Sequence, residues 1–127
     1  MTPEPGPAPR RVLVVEDNRD SRETLRMLLE LWGYRVEEAG DGLEGVRKAL
    51  DWKPDAAVVD IGMPVMDGYA MARRVRQALG RDILLVALTA YRDREKALEA
   101  GFDEHLVKPV RAADLQRALA AGRRKKS

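Results

Sequence analysis

Four short apolar runs in this chain each end on a polar residue. Val12-Leu13-Val14-Val15 runs into Glu16 and Asp17, Ala56-Ala57-Val58-Val59 into Asp60, residues 83–88 into Thr89, and His105-Leu106-Val107 into Lys108. Continuous apolar runs of this kind predict strands buried on both faces. Residues 34–38 alternate instead, which predicts a second, more exposed strand. Between the strands the period changes. Asn18 can cap a helix whose stripe is Leu25, Leu28, Leu29 and Trp32, and Gly33 stops it. Leu43, Val46, Ala49 and Leu50 make the next stripe, which ends before Pro54. Asp67 caps a third helix with Met71, Val75 and Leu79 on one face, closed by Gly80. A fourth helix is expected over 92–100, closed by Gly101, and a fifth over 112–121, carrying Leu115 and Leu119.

Strands alternating with helices in this way predict a doubly wound α/β fold, a parallel sheet covered on both sides. Right-handed crossovers restrict the topology to a few choices, but periodicity leaves the strand order open. The order 2-1-3-4-5 is one common solution, with its switch point between the first and third strands. That order would set Glu16, Asp17 and Asp60 side by side at the carboxyl ends of the strands, where open α/β sheets place their chemistry. Residues 83–88 form the most apolar run and belong at or near the centre of the sheet.

Composition narrows the class. The chain has 127 residues, enough for one domain with a single substantial core. Apolar residues make up 45% and charged residues 35%, and the net charge is only +2, so no strong nucleic-acid field is implied. There are no cysteines, which excludes disulfides and thiolate metal sites and suits the cytoplasm. No apolar run approaches the ~20 residues that a membrane span needs, so no membrane contact is expected of this domain. Residues 1–10 are Pro-rich and expected to form an extended linker from a preceding segment. The domain is expected over 11–121, followed by a basic, solvated tail over 122–127.

The three acids carry the sharpest chemical signal. Carboxylates meeting at one edge repel one another, so each must be solvated, protonated or neutralised. A hard divalent ion such as Mg²⁺, or Mn²⁺ in its place, is the natural partner for such oxygen ligands. Asp60 can act as a nucleophile, since a carboxylate can form an aspartyl phosphate. Thr89 offers a hydroxyl to a phosphoryl oxygen, and Lys108 a compact positive charge. Pro109 restricts Lys108 to extended backbone, and either isomer of the bond between them is open.

The motifs Glu16-Asp17-Asn18, Asp60-Ile61-Gly62-Met63-Pro64-Val65-Met66-Asp67-Gly68, Leu88-Thr89-Ala90 and Lys108-Pro109 closely resemble the receiver domain of two-component response regulators. The resemblance covers about 11–121, with the motifs in the family's order. It implies the flavodoxin-like 2-1-3-4-5 sheet and Asp60 as phosphoacceptor from a histidine kinase or a histidine phosphotransfer domain. It implies Mg²⁺ held by Asp17, Asp60 and the carbonyl of Gly62, with Glu16 acting largely through water. Thr89 and Lys108 match the residues that bind the phosphoryl group, and Pro109 matches a proline preceded by a cis bond. Thr89 would move toward the new phosphoryl group as part of a switch. The second switch residue is usually Tyr or Phe three residues before the Lys; here it is His105. Gly62 and Tyr91 flank the expected path of attacking water. Asp103, Glu104 and Arg111 fall on the side that receivers use for partners, which implies a possible weak dimer through the last helix-strand-helix face.

Residues 100–110 look most like receivers of hybrid sensor histidine kinases, with a stand-alone single-domain regulator as the alternative. His105 is the only histidine, so a phosphodonor must lie on another chain or segment. No output segment is expected within 122–127. A haloacid-dehalogenase-like phosphatase would also use an Asp nucleophile, a Thr, a Lys and Mg²⁺, but needs a second acid two residues beyond the nucleophile. Gly62 stands there after Asp60, so the isolated domain is expected to show no enzymatic turnover beyond its own phosphorylation and dephosphorylation. A pure interaction module is disfavoured by the intact acid, Thr and Lys set.

Overall fold

The apolar runs assemble into one parallel sheet of five strands, ordered β2-β1-β3-β4-β5, in a computed structural model that describes residues 10–63, 66–90 and 94–125. In chain order the elements are β1 (Arg11–Val15), α1 (Arg19–Leu31), β2 (Arg35–Ala39), α2 (Gly42–Trp52), β3 (Ala56–Asp60), α3 (Gly68–Leu79), β4 (Leu84–Thr89), α4 (Arg94–Ala100), β5 (Glu104–Val107) and α5 (Ala112–Lys125). Every residue of β3 and β4 is buried, as their unbroken apolar runs require. The edge strand β2 alternates between exposed and half-buried positions along most of its length.

Side chains alternate across the sheet and build two cores. Leu13, Val15, Ala57, Val59, Leu85 and Ala87 face α2, α3 and α4, where they meet Ala49, Met71, Ala72, Val75 and Ala97. Val12, Val14, Val58, Val86 and Leu88 face the other way and pack on Leu29, Leu115 and Leu119 from α1 and α5. The register Val15↔Val59 and Asp60↔Leu88 holds the strand ends level. Cutting a fully buried side chain such as Leu13, Leu29 or Leu85 back to Ala removes about 2–5 kcal/mol of stability.

The helix stops work as the sequence expects. Asn18 accepts from the Ser21 N–H, Asp67 from the Ala70 N–H, and Gly33, Gly80 and Gly101 all have positive φ. Some boundaries move for identifiable reasons. β2 begins at Arg35 because the Tyr34 N–H is spent on Leu29 O at the end of α1. β4 begins at Leu84, and the carbonyl of Ile83 accepts from Arg76. α2 closes on Lys53, a left-handed residue at φ 50°, where the sequence offers only Pro54 as a stop. α5 runs to Lys125, four residues past the expected limit at Ala121, so the start of the basic tail is helical. Residues 1–9 of the expected 1–10 linker, residues 64–65 and 91–93 and the last two tail residues lie outside the described residues. Among the described residues no helix is long and apolar enough to cross a membrane.

Candidate functional site

β1 and β3 are neighbours, so the residues that follow Val15 and Val59 emerge together at the carboxyl edge of the sheet. Glu16 continues the line of β1: its N–H donates to Ala39 O at 3.0 Å, and the residue is buried at 4% exposure. Asp17 is exposed, and Asn18 then starts α1. Asp60 closes β3 at 7% exposure. Its Oδ1 accepts from the Gly62 N–H at 3.2 Å and from Lys108 Nζ at 3.1 Å. Carboxylate oxygens of Glu16, Asp17 and Asp60 all lie within 4.8 Å of one another.

Lys108 is delivered by the end of β5. Val107 pairs with Thr89, and the Lys108 N–H donates to Thr89 O at 2.7 Å. The Lys108–Pro109 bond is cis. Lys108 Nζ also lies 3.9 Å from Glu16 Oε1, so one ammonium faces both buried acids. Thr89 is buried at the end of β4, beside β3. The loop after Asp60 is held close against neighbouring backbone. The Ile61 N–H donates to Leu88 O at 2.9 Å, and a Cβ on Gly68 would fall 2.9 Å from Asp60 O. Gly42, at the start of α2, is under the same restriction: a Cβ there would fall 2.4 Å from Met66 O. Both positions need glycine for close approach of backbone to backbone.

Burial and charge divide the two buried acids. Glu16 is pushed from an ordinary 4.5 to about 8, first by burial and then by its hydrogen bond to Asp60 and the repulsion between them, with Lys108 opposing. Burial pulls Asp60 upward too, but hydrogen bonds from Glu16, Lys108 and the Gly62 N–H outweigh it and hold Asp60 below its usual value. Near neutrality and without a cation, Glu16 therefore keeps a proton and Asp60 is an ionised carboxylate. Glu16 Oε2 is buried with no hydrogen-bond partner among the described residues. Three clustered acids and an orphaned buried oxygen fit a hard divalent cation. The same arrangement leaves Asp60 ionised and flanked by an ammonium, which suits nucleophilic attack on phosphorus.

The structure thus brings Glu16, Asp17, Asp60, Gly62 and Lys108 together, with Thr89 beside them. His105 is half-buried within β5, paired in register with Ala87 and two residues before the Val107–Thr89 pair. Asp67 is exposed and serves as the α3 cap, accepting from the Ala70 N–H at 2.9 Å. Tyr91 lies outside the described residues. Asp103 is half-buried and paired with Arg76 of the same chain. Sequence reasoning missed Arg76 and also Arg22, whose Nη1 donates to Glu16 O at 3.0 Å. One signal for Arg22 was available: it stands one helical turn after the Asn18 cap, within reach of the loop that the cap closes.

Solved receivers share this architecture. The receiver domain of the sensor histidine kinase PA1611 from Pseudomonas aeruginosa PAO1, which holds a magnesium ion in its active site cleft, superposes with a TM-score of 0.81 at 39% identity, covering 90% of this chain and 97% of that one. A response regulator receiver domain protein from Clostridium thermocellum gives 0.85 at 29% identity, covering 92% and 97%. In sequence, the transcriptional regulatory protein PrrA of Mycobacterium leprae is 44% identical over 108 residues, 83% of this chain and 46% of that protein. The response regulator MprA of a Mycobacterium species is 41% identical over 110 residues, 84% and 47%. The chain spans about half the length of these two relatives. Residues 12–120 match the response regulator receiver domain as a family, and the chain belongs to it.

Proposed function

We propose that this chain accepts a phosphoryl group on Asp60 from a phosphohistidine of a histidine kinase or phosphotransfer domain. The observation that carries the reading is the buried Asp60 side chain, held 3.1 Å from the Lys108 ammonium and clustered with two further acids. An Asp60 oxygen attacks phosphorus; the O–P bond forms as the N–P bond breaks, and the histidine nitrogen leaves with the electron pair. Lys108 offsets the charge of the phosphoryl oxygens. Asp17, Asp60 and Glu16 would hold Mg²⁺ or Mn²⁺, with the Gly62 carbonyl as a further ligand, and the cation supplies charge neutralisation when bound. The magnesium ion of the PA1611 receiver supports this choice.

Thr89 and His105 are the proposed switch. Thr89 is buried beside Asp60, and His105 shares the β4–β5 ladder with it. His105→Ala should alter how phosphorylation changes partner binding, and an unchanged response rules His105 out. The mycobacterial relatives favour a response regulator as the setting over the hybrid kinase suggested by residues 100–110. A cytoplasmic location and weak self-association through α4, β5 and α5 belong to the same reading, with Glu104 and Arg111 as the charged groups of that face.

Gly62 leaves no general acid two residues beyond Asp60, so Asp60 should hold the phosphoryl group as a signal without turning over phosphoesters. Acetyl phosphate with Mg²⁺ should phosphorylate the wild-type chain once and Asp60→Asn not at all, and p-nitrophenyl phosphate should not be hydrolysed. Undiminished labelling of Asp60→Asn refutes the assignment.

A further inference from the structure

We propose that Arg22 is a positioning residue for the acidic site, acting through the peptide that joins Glu16 to Asp17. The inference rests on the cation-binding role proposed above and deepens it. Arg22 lies in the second turn of α1, and its own N–H makes an early helical bond to Asn18 O at 2.9 Å. Its guanidinium folds back over the loop, and Nη1 donates to Glu16 O at 3.0 Å. The other side of the fork is anchored, with Nε donating to Glu38 Oε1 at 3.3 Å on β2. The Arg22 side chain is only 21% exposed, so the contact is largely shielded from water.

Geometry explains why this bond matters. Glu16 stands just past the end of β1, where its carbonyl has left the ladder. Its N–H is tied to Ala39 O on β2 at 3.0 Å, and its carbonyl is tied to Arg22. Both peptide planes that flank Glu16 are therefore fixed, and each plane is rigid. The second plane ends at the Asp17 Cα, so one guanidinium sets the direction from which both neighbouring acids leave the backbone. Supports of this kind around metal ligands typically change affinity by about ten- to a hundredfold.

Electrostatics alone predicts the opposite effect. Arg22 is a cation beside an acidic pocket, so removing it should strengthen Mg²⁺ binding if charge were its only influence. A purely structural role predicts no change in affinity once the protein is folded. Arg26 supplies the control: it bonds the same Glu38 at 3.1 Å and Glu30 at 2.8 Å and belongs to the same ion-pair cluster, while among the described residues the side chain on the Glu16 carbonyl is that of Arg22.

The test is calorimetric titration of Mg²⁺ into wild type, Arg22→Met, Arg22→Lys and Arg26→Met, with thermal melts of each protein in the absence of Mg²⁺. The expected result is a Kd about tenfold or more weaker for Arg22→Met, an intermediate value for Arg22→Lys, which keeps the charge and a single donor nitrogen, and a wild-type value for Arg26→Met. Equal or tighter binding by Arg22→Met overturns the inference while leaving the cation site in place. If Arg22→Met does not fold, Arg22→Lys decides, and a wild-type Kd for it overturns the inference. A wild-type chain that binds no Mg²⁺ overturns this inference together with the cation site.

Discussion

The two ends of the sheet both bury charge, and they do so in opposite ways. At the amino ends of β4 and β5, Arg76 and Asp103 form a partly buried ion pair with its hydrogen-bonding capacity well used. Arg76 Nε donates to Gly101 O at 2.7 Å, and Nη1 donates to Gly80 O at 2.7 Å and Ile83 O at 2.6 Å. Asp103 Oδ2 accepts from Arg76 Nη2 and from the Leu85 N–H at 2.9 Å. At the carboxyl edge, two buried acids share one ammonium, one of them holds a proton near neutrality, and Glu16 Oε2 has no partner among the described residues. Satisfied charge ties elements together. A buried polar atom left without a partner invites a ligand, and its location marks the functional edge.

The comparison breaks most visibly at the satisfied end. Arg76→Met strands the Asp103 carboxylate and several carbonyls, so it should cost about 3–5 kcal/mol of stability in urea unfolding. Mg²⁺ affinity of the folded fraction should not change. A loss below about 1 kcal/mol would show that the pair is not the latch its geometry suggests.

At the functional edge the effects should appear in chemistry. Lys108→Met should slow phosphorylation by acetyl phosphate by about a hundredfold, since it removes a charge aimed at the phosphoryl oxygens. Single-turnover labelling measures it, and a rate equal to wild type would remove Lys108 from the mechanism.

A smaller, pH-dependent effect follows from Glu16. Its pKa is raised in the folded chain, from 4.5 to about 8, so between those values the native state binds more protons than the unfolded state. Metal-free stability should therefore fall as pH rises through that window. Asp60 works in the other sense: its lowered pKa gives stability above its unfolded value of 3.8, lost as pH falls through the folded value. Saturating Mg²⁺ should flatten or reverse the decline, because the cation favours the deprotonated acids. Urea midpoints from pH 5 to 8, with and without Mg²⁺, would show it, and a metal-free midpoint rising with pH across that range contradicts the assignment.

Much of this contrast was legible in the chain. β1, β3 and β4 read clearly because strands buried on both faces leave unbroken apolar runs, and the acids, Thr89 and Lys108 stand directly after such runs. Asn18, Asp67, Gly33, Gly80 and Gly101 punctuate helices by local chemistry, so local reading finds them. The missed features depend on distant partners. Arg76 and Asp103 are 27 residues apart, and charges paired across the fold carry no period. Arg22 looks like any polar residue on an amphipathic helix until the loop it covers is in place. The start of β2 moved because Tyr34 is engaged by the end of α1, a tertiary use of a backbone donor that hydropathy does not register. The order of the strands came from the motif resemblance; periodicity alone admitted other orders.

The covalent step itself gives the most direct test of the central claim. Borohydride reduces an aspartyl phosphate to homoserine, so phosphorylated protein can be reduced, digested and read by mass spectrometry. Homoserine at position 60 and at no other acid is the predicted result. Homoserine at Glu16's neighbour Asp17 with none at position 60, or a stable phosphate on Thr89, would contradict the account.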